Sequence, residues 1–96
     1  MSEIKRLVLD VLKPHNPSIV ELSQRLSNVN GVVGVNCTLD EVDQDTESIK
    51  ITIEGPSLNY SKVEKTIREC GAVIHSVDSV SSGKKIVEEV GTPQDR

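Results

Sequence analysis

Hydrophobic and polar residues alternate along four stretches of this chain, and two stretches between them repeat their hydrophobic residues at helical spacing. Alternation is typical of a strand with one buried face, and the helical spacing is typical of an amphipathic helix. The order is strand, helix, strand, strand, helix, strand. We therefore predict an α+β domain with a ferredoxin-like βαββαβ fold, in which a four-stranded antiparallel sheet carries two helices on one face.

The first predicted strand covers residues 4–12, which are rich in valine and leucine. Leu7, Leu9 and Val11 form one face, and the opposite face mixes apolar side chains with Asp10. Because both faces are partly apolar, we expect this strand either to lie in the middle of the sheet or to be covered on its second face.

Capping signals delimit the two predicted helices. Ser18 opens a capping-box pattern, and the first helix is expected to end at Asn30-Gly31. Asn59 is the predicted N-cap of the second helix, and Gly71 is expected to follow its last turn. The predicted buried stripes are Ile19, Leu22, Leu26 and Val29 in the first helix and Val63, Ile67 and Cys70 in the second.

The second and third strands are predicted to form an antiparallel hairpin. Residues 33–39 and residues 49–53 both alternate apolar with polar side chains. The turn between them, residues 41–47, is polar and acidic. Gly55-Pro56-Ser57 is expected to break the third strand, and the last strand is predicted over residues 72–80.

We assign residues 1–82 to the ferredoxin-like domain and residues 83–96 to a C-terminal arm. The arm is mostly charged, yet it contains Ile86, Val87 and Val90, which a solvated tail does not need. We therefore expect the arm to pack on its own sheet or on a neighbouring subunit.

The core of this domain must be thin. The 96 residues suffice for one domain, 35% of them are hydrophobic, and the only aromatic side chain is Tyr60. A chain of this length buries roughly 60–65% of its unfolded surface. Since so small a core gains from a partner surface, we expect a homo-oligomer.

Charge and composition argue against several classes of function. A formal net charge of −4 and a pI of about 5.1 disfavour nucleic-acid binding, which relies on Lys and Arg. The predicted strands also lack the aromatic residues on which bases stack. No apolar run is long enough to cross a membrane, and Met1-Ser2-Glu3 leads into a strand rather than a signal peptide. Cys37 and Cys70 form no C-x-x-C pair, which favours a reduced, cytoplasmic protein.

Six segments spread over nearly the whole chain are together fairly specific: RLVLDVLKPH (residues 6–15), GVN (34–36), EVD (41–43), TIEG (52–55), VIHSVD (73–78) and TPQDR (92–96). In these segments the chain resembles the archaeal family called domain of unknown function 211. The resemblance implies a ferredoxin-like subunit, a symmetric ring-like homo-oligomer and an archaeal, cytoplasmic source, and it implies no established activity. One departure is Asp45, where the family pattern leads us to expect Glu; the charge is kept.

The acidic turn of the hairpin is the first candidate site. It carries four carboxylates, Glu41, Asp43, Asp45 and Glu47, and the predicted topology brings His15 to the same edge of the sheet. Clustered carboxylates suit Ca²⁺ or Mg²⁺, whereas an imidazole ligand shifts the preference toward Zn²⁺ or Ni²⁺. The two interpretations are a divalent-cation site formed by the four carboxylates and a solvated acidic turn that binds nothing.

Asp10 and His75 form the second candidate site. A carboxylate within a strand is costly to bury without a partner, and antiparallel pairing of the first and last strands could place His75 opposite Asp10. Together with His15, these two are the predicted ligand-binding residues. The alternative is a structural Asp10 that pairs with Arg6, Lys50 or His75.

Three functions follow from these candidates. The sequence favours a non-catalytic, homo-oligomeric binding module for a divalent cation or a small metabolite, although the fold alone specifies no function. The second is a metal-assisted enzyme that uses His75 with Asp10 or with the acidic turn. The third is a structural scaffold without a ligand, in which the acidic turn only confers solubility.

Overall fold

Six elements follow one another in the predicted order in the computed structural model, which describes residues 3–90. They are β1 (Ile4–Pro14), α1 (Ile19–Ser27), β2 (Gly34–Val42), β3 (Thr46–Leu58), α2 (Tyr60–Glu69) and β4 (Val73–Ser82). The strands lie in the order β2-β3-β1-β4, and each neighbouring pair is antiparallel. The ferredoxin-like α+β prediction is confirmed, and β1 is central, as its two partly apolar faces indicate.

The core lies between the two helices and one face of the sheet. Leu7, Leu9 and Val11 of β1 are at most 1% exposed, because alternate residues of a strand share a face. Full burial of such a side chain contributes about 1.5–3 kcal/mol to folding. The other buried hydrophobic residues are Leu22, Leu26, Ile49, Ile51, Ile53, Leu58, Val63, Ile67, Cys70 and Ala72.

We call the opposite face of the sheet, which neither α1 nor α2 covers, the open face. Its β1 residues are Arg6, Val8, Asp10 and Leu12, which alternate with the buried residues of the same strand. Across the pairing with β3 they meet polar side chains, so that Asp10 faces Lys50. The open face is therefore mainly polar, whereas the helix-covered face is apolar.

Capping side chains begin both helices as predicted. The Oγ of Ser18 accepts a hydrogen bond from the N–H of Glu21 at 3.2 Å, and the Oδ1 of Asn59 accepts one from the N–H of Lys62 at 3.2 Å. Gly71, with a φ of +76°, follows the end of α2 as expected. In the described part of the chain, no helix is long and apolar enough to cross a membrane.

The end of α1 differs from the prediction. The helix ends at Ser27, with Asn28 as its C-cap, and does not continue to Asn30. The N–H of Asn28 donates to the carbonyl of Arg25 at 3.2 Å, which is a tighter turn than the α-helical one. This turn ends the helix early, and Gly31, with a φ of +91°, then directs the chain toward β2.

The predicted break in the third strand is wrong, because β3 continues through Gly55-Pro56-Ser57 to Leu58. The register between β1 and β3 shifts there: Ile4 faces Leu58, whereas Arg6 faces Glu54. The additional residues of β3 are thus accommodated in a bulge. The strand resumes its pairing after the proline instead of ending before it.

Two of the three register shifts between β1 and β4 determine which side chains of β4 lie near the open face. Across the first, Asp10 faces Ser76 whereas the next residue of β1 faces Ile74, so His75 is an additional, bulged residue. The second shift leaves Asp78 as an additional residue in the same way. Both bulged residues of this edge strand, His75 and Asp78, carry ionisable side chains.

The strand β4 ends at Ser82, and residues 83–90 follow without helix or strand. Glu88 forms an ion pair with Arg6 at 2.8 Å, which brings this segment back to the open face. The first part of the predicted arm thus contacts its own sheet. Residues 91–96, the rest of that arm, lie outside the described residues.

Candidate ligand site on the open sheet face

Asp10 and His75 line the same cavity on the open face. Val11, Leu12 and Ser48 form the rest of its wall. The cavity has a volume of about 210 Å³. His75 is the bulged residue of β4 between the pairs Asp10–Ser76 and Val11–Ile74.

The Asp10 carboxylate faces Lys50 across the pairing of β1 with β3, but it forms no ion pair and no side-chain hydrogen bond among residues 3–90. The partners considered for a structural role are engaged elsewhere: Arg6 binds two glutamates at 2.8 to 2.9 Å, and Lys50 binds Asp78. His75 shares the cavity with Asp10 and likewise makes no side-chain hydrogen bond within the described residues. The cavity therefore presents a half-buried carboxylate and an exposed imidazole, both of which are available to a polar ligand.

Lys50 and Asp78 form an ion pair beside this cavity. The Nζ of Lys50 donates to one carboxylate oxygen of Asp78, and the Oγ of Ser76 donates to the other at 2.7 Å. The Lys50 ammonium, with the Ser76 hydroxyl, lowers the pKa of Asp78 below its usual value, and Asp78 in turn raises the pKa of Lys50. Both groups therefore stay charged near neutral pH, and the pair needs no ligand.

The hairpin turn forms a second polar group, built around the buried side chain of Lys13. That side chain is 0% exposed, and its Nζ lies 2.9 Å from Glu47 Oε1. It also donates to the carbonyls of Pro14, at 2.8 Å, and His15, at 3.3 Å. These bonds satisfy the buried ammonium.

His15 contacts the same carboxylate from the other side. Its Nδ1 lies 3.0 Å from Glu47 Oε2, and its Nε2 lies 2.9 Å from the carbonyl oxygen of Gln44. Both partners are acceptors, so the doubly protonated imidazolium satisfies both contacts. Glu47, and secondly the Gln44 carbonyl, raise the pKa of His15, while His15 and then Lys13 lower the pKa of Glu47.

The other carboxylates of the acidic turn do not join this group. Glu41, Asp43 and Asp45 are exposed, and the backbone N–H of Asp43 closes the turn by donating to Thr46 at 2.8 Å. Within residues 3–90, no three His, Cys, Asp or Glu side chains are grouped so as to hold a metal ion. Of the predicted cation ligands, only Glu47 is brought against a histidine, and a cation site at this turn stays a prediction.

Neither cysteine is placed as a nucleophile. Burial raises the pKa of Cys37 to about 11, so its thiol stays protonated near neutral pH. Cys70 is buried in the core, and its sulfur accepts a hydrogen bond from Arg25 at 3.4 Å. Both thiols are free and behave as small core residues, as the sequence suggested.

Two features were not predicted from the sequence: the buried Lys13 and a basic groove between the helices. Lys13 has the same parity as Leu7, Leu9 and Val11, so the alternation of β1 could have placed it on the core face. The groove residues are far apart along the chain and come together only in the fold. They are Arg25, Asn28, Val29, Asn30, Lys62, Lys65, Thr66 and Glu69.

These features define a small ferredoxin-like α+β protein that has a polar cavity on its open face. Comparison with known proteins identifies its family. The family model for domain of unknown function 211, described as "Uncharacterized ArCR", matches residues 5–96. The chain is also 48% identical over 96 residues to the "Uncharacterized protein MJ0319" of Methanocaldococcus jannaschii, a match that covers 100% of this chain and 99% of the relative. The chain therefore belongs to the domain of unknown function 211 family.

Proposed function

We propose that this protein is a non-catalytic binding module that works as a homo-oligomer in the cytoplasm. Its ligand, a divalent cation or a small polar metabolite, occupies the cavity between Asp10 and His75. The main support is the Asp10 carboxylate, which lines the cavity and has no side-chain partner within residues 3–90. Because Arg6 and Lys50 form ion pairs with other carboxylates, Asp10 is available to a ligand that enters the cavity.

The chemistry of the lining selects the ligand class. An aspartate oxygen and an imidazole nitrogen together suit Zn²⁺ or Ni²⁺ better than Ca²⁺ or Mg²⁺, which prefer oxygen ligands alone. With only two such side chains lining the cavity, a bound cation keeps water or a metabolite in its remaining positions. For Ca²⁺ or Mg²⁺, the remaining candidates are the exposed carboxylates Glu41, Asp43 and Asp45 of neighbouring subunits, which an assembly would have to bring together.

The two edge strands support the homo-oligomer. Leu39 and Val42 of β2 and Val77 and Val80 of β4 are 43% to 59% exposed. Their strand partners are on the helix-covered side, so both edges expose apolar residues on the same side of the sheet. A second copy that places its β2 edge beside β4 would cover these residues and pair the free backbone groups. Such a contact is heterologous, and heterologous contacts that close form rings.

The enzyme alternative has weaker support. His75 and Asp10 could move protons, but the described residues offer no activated nucleophile beside them, and the Cys37 thiol is kept protonated by burial. The scaffold alternative gives no role to the cavity that Asp10 and His75 line. We therefore place both below the binding module.

Titration of chelator-treated protein with Zn²⁺, Ni²⁺ and Ca²⁺, followed by calorimetry, tests the site. We expect saturable Zn²⁺ or Ni²⁺ binding that weakens at least about tenfold in Asp10→Asn and in His75→Gln, because each removes one direct ligand. Glu21→Gln, which removes an exposed carboxylate on α1, is the matched control and should bind as the wild type does.

Mass spectrometry of the untreated protein provides the metabolite arm of this test. A retained small molecule that is absent from Asp10→Asn supports the cavity site even if cations do not bind. Absence of any cation binding together with absence of any retained mass contradicts the proposed function. Calcium binding that is lost only when Asp43 and Asp45 are changed to Asn would move the site to the acidic turn.

A further inference from the structure

A groove runs between α1 and α2, on the side of the molecule away from the open face. Its volume is about 480 Å³, within the range of roughly 300–1,000 Å³ that is usual for small-molecule sites. Arg25 lines it from α1, and Lys62 and Lys65 line it from α2. The groove is separate from the cavity that holds Asp10.

The charge of this groove is opposite to that of the chain. Three cationic side chains and one carboxylate, Glu69, line it, whereas the whole chain has a net charge of −4. Asn28 and Asn30 contribute amide groups that can donate hydrogen bonds. The groove between the two helices therefore concentrates positive charge and hydrogen-bond donors on the surface of an acidic protein.

The two lysines are not used within the fold. Neither Lys62 nor Lys65 forms an ion pair with any described residue, although Glu69 follows Lys65 by one helical turn. Arg25 is positioned instead: it donates to the sulfur of Cys70 at 3.4 Å and lies 3.8 Å from a Glu21 oxygen. One guanidinium with a set position and two free ammonium groups match a ligand with more than one negative charge.

We propose that this groove binds a small soluble polyanion, of the diphosphate or phosphorylated-metabolite class, between Arg25 and the two lysines. A single chloride or acetate would meet only one of the three cations. A ligand with more than one anionic group can pair with the cations of both α1 and α2. This site is independent of the proposed function, since it shares no residue with the open-face cavity.

Calorimetric titration with pyrophosphate and with inorganic phosphate tests this assignment. We expect saturable pyrophosphate binding that is stronger than phosphate binding. The double substitution Lys62→Gln, Lys65→Gln should weaken pyrophosphate at least about tenfold, since each lysine supplies a charge-assisted hydrogen bond. The matched control is Lys84→Gln, Lys85→Gln, which removes the same charge from exposed residues outside the groove and should change the affinity less than about twofold.

Backbone amide shifts measured by NMR during the same titration locate the site. Shifts confined to Asn28, Asn30 and the first turns of α2 support the groove. An equal loss of affinity in both double variants, or no saturable binding below about 10 mM, overturns the site. If the groove variant instead loses self-association and the wild type binds no pyrophosphate, the groove is a contact between copies and the small-anion assignment is wrong.

Discussion

Lys13 is the residue whose surroundings are least expected from the sequence. Its stem follows the core parity of β1, and its ammonium is fully buried where it meets Glu47 and two backbone carbonyls. Removing one partner from a buried charge is costly, whereas the intact network is tolerated because each donor has an acceptor. Both carboxylate oxygens of Glu47 are therefore engaged by Lys13 and His15, so Glu47 is less available to a cation than the acidic sequence suggests.

The contact of His15 with Glu47 makes the stability of the fold depend on pH. The folded pKa of His15 is raised above 6.5, so its contribution is fully present below pH 6.5 and is lost as the pH rises through the folded pKa. The folded pKa of Glu47 is lowered below 4.5, so its contribution is present above pH 4.5 and is lost as the pH falls through the folded pKa. The contact between His15 and Glu47 is therefore most stabilising between pH 4.5 and pH 6.5.

We predict that His15→Gln destabilises the protein near pH 6 and has a smaller effect near pH 8. The measurement is urea unfolding of both proteins across this range. Glu47→Gln should remove the same dependence, because it removes the main cause of the raised pKa of His15, and Glu41→Gln, on the same hairpin but exposed, should keep it. A His15→Gln curve parallel to that of the wild type at every pH would contradict this account.

At the scale of elements, the bulge in β3 depends on a close approach of two glycines. A Cβ built on Gly55 would lie 1.9 Å from the carbonyl oxygen of Gly31. Gly31 itself has a φ of +91°, which side chains rarely adopt. The turn after α1 and the bulge of β3 therefore fit together only because both positions lack a side chain.

We predict that Gly55→Ala lowers the free energy of unfolding by at least about 3 kcal/mol, because the backbone of one element must move away from the other. Gly34→Ala is the matched control, since a Cβ there meets no atom within 4 Å. It should change stability by less than about 1 kcal/mol. Urea unfolding measures the free energy of unfolding of both variants. Equal values for Gly55→Ala and Gly34→Ala would show that the close approach of Gly55 to Gly31 does not matter for stability.

Sequence periodicity predicted the order of the helices and strands. It failed where the extent of a strand or a bulge depends on pairing between segments that are distant in the sequence. Ser18, Asn59 and Gly71 are local signals, and each lies where it was expected. The continuation of β3 past Pro56 depends on its pairing with β1, which no local pattern records. The sequence also suggested that His75 lies near Asp10, and the two residues line one cavity. The bulge at His75 could not be predicted, because it depends on the pairing of β4 with β1.

At the scale of the whole molecule, the described residues leave three surfaces without a partner. The open face holds the cavity of Asp10, the edges of β2 and β4 expose apolar side chains, and the groove between the helices is basic. A thin core of aliphatic residues gains stability if copies cover one another's edges. Such an assembly would leave the open face and the helical groove accessible to the two ligands that we propose.

Native mass spectrometry directly tests whether the protein is a homo-oligomer that holds a ligand at Asp10 and His75. For the wild type we predict one defined oligomer that carries about one additional small mass per subunit. The same oligomer should form from Asp10→Asn without that mass. A monomer at micromolar concentration with no retained mass, or an oligomer whose retained mass is unchanged in Asp10→Asn and in His75→Gln, would contradict the account.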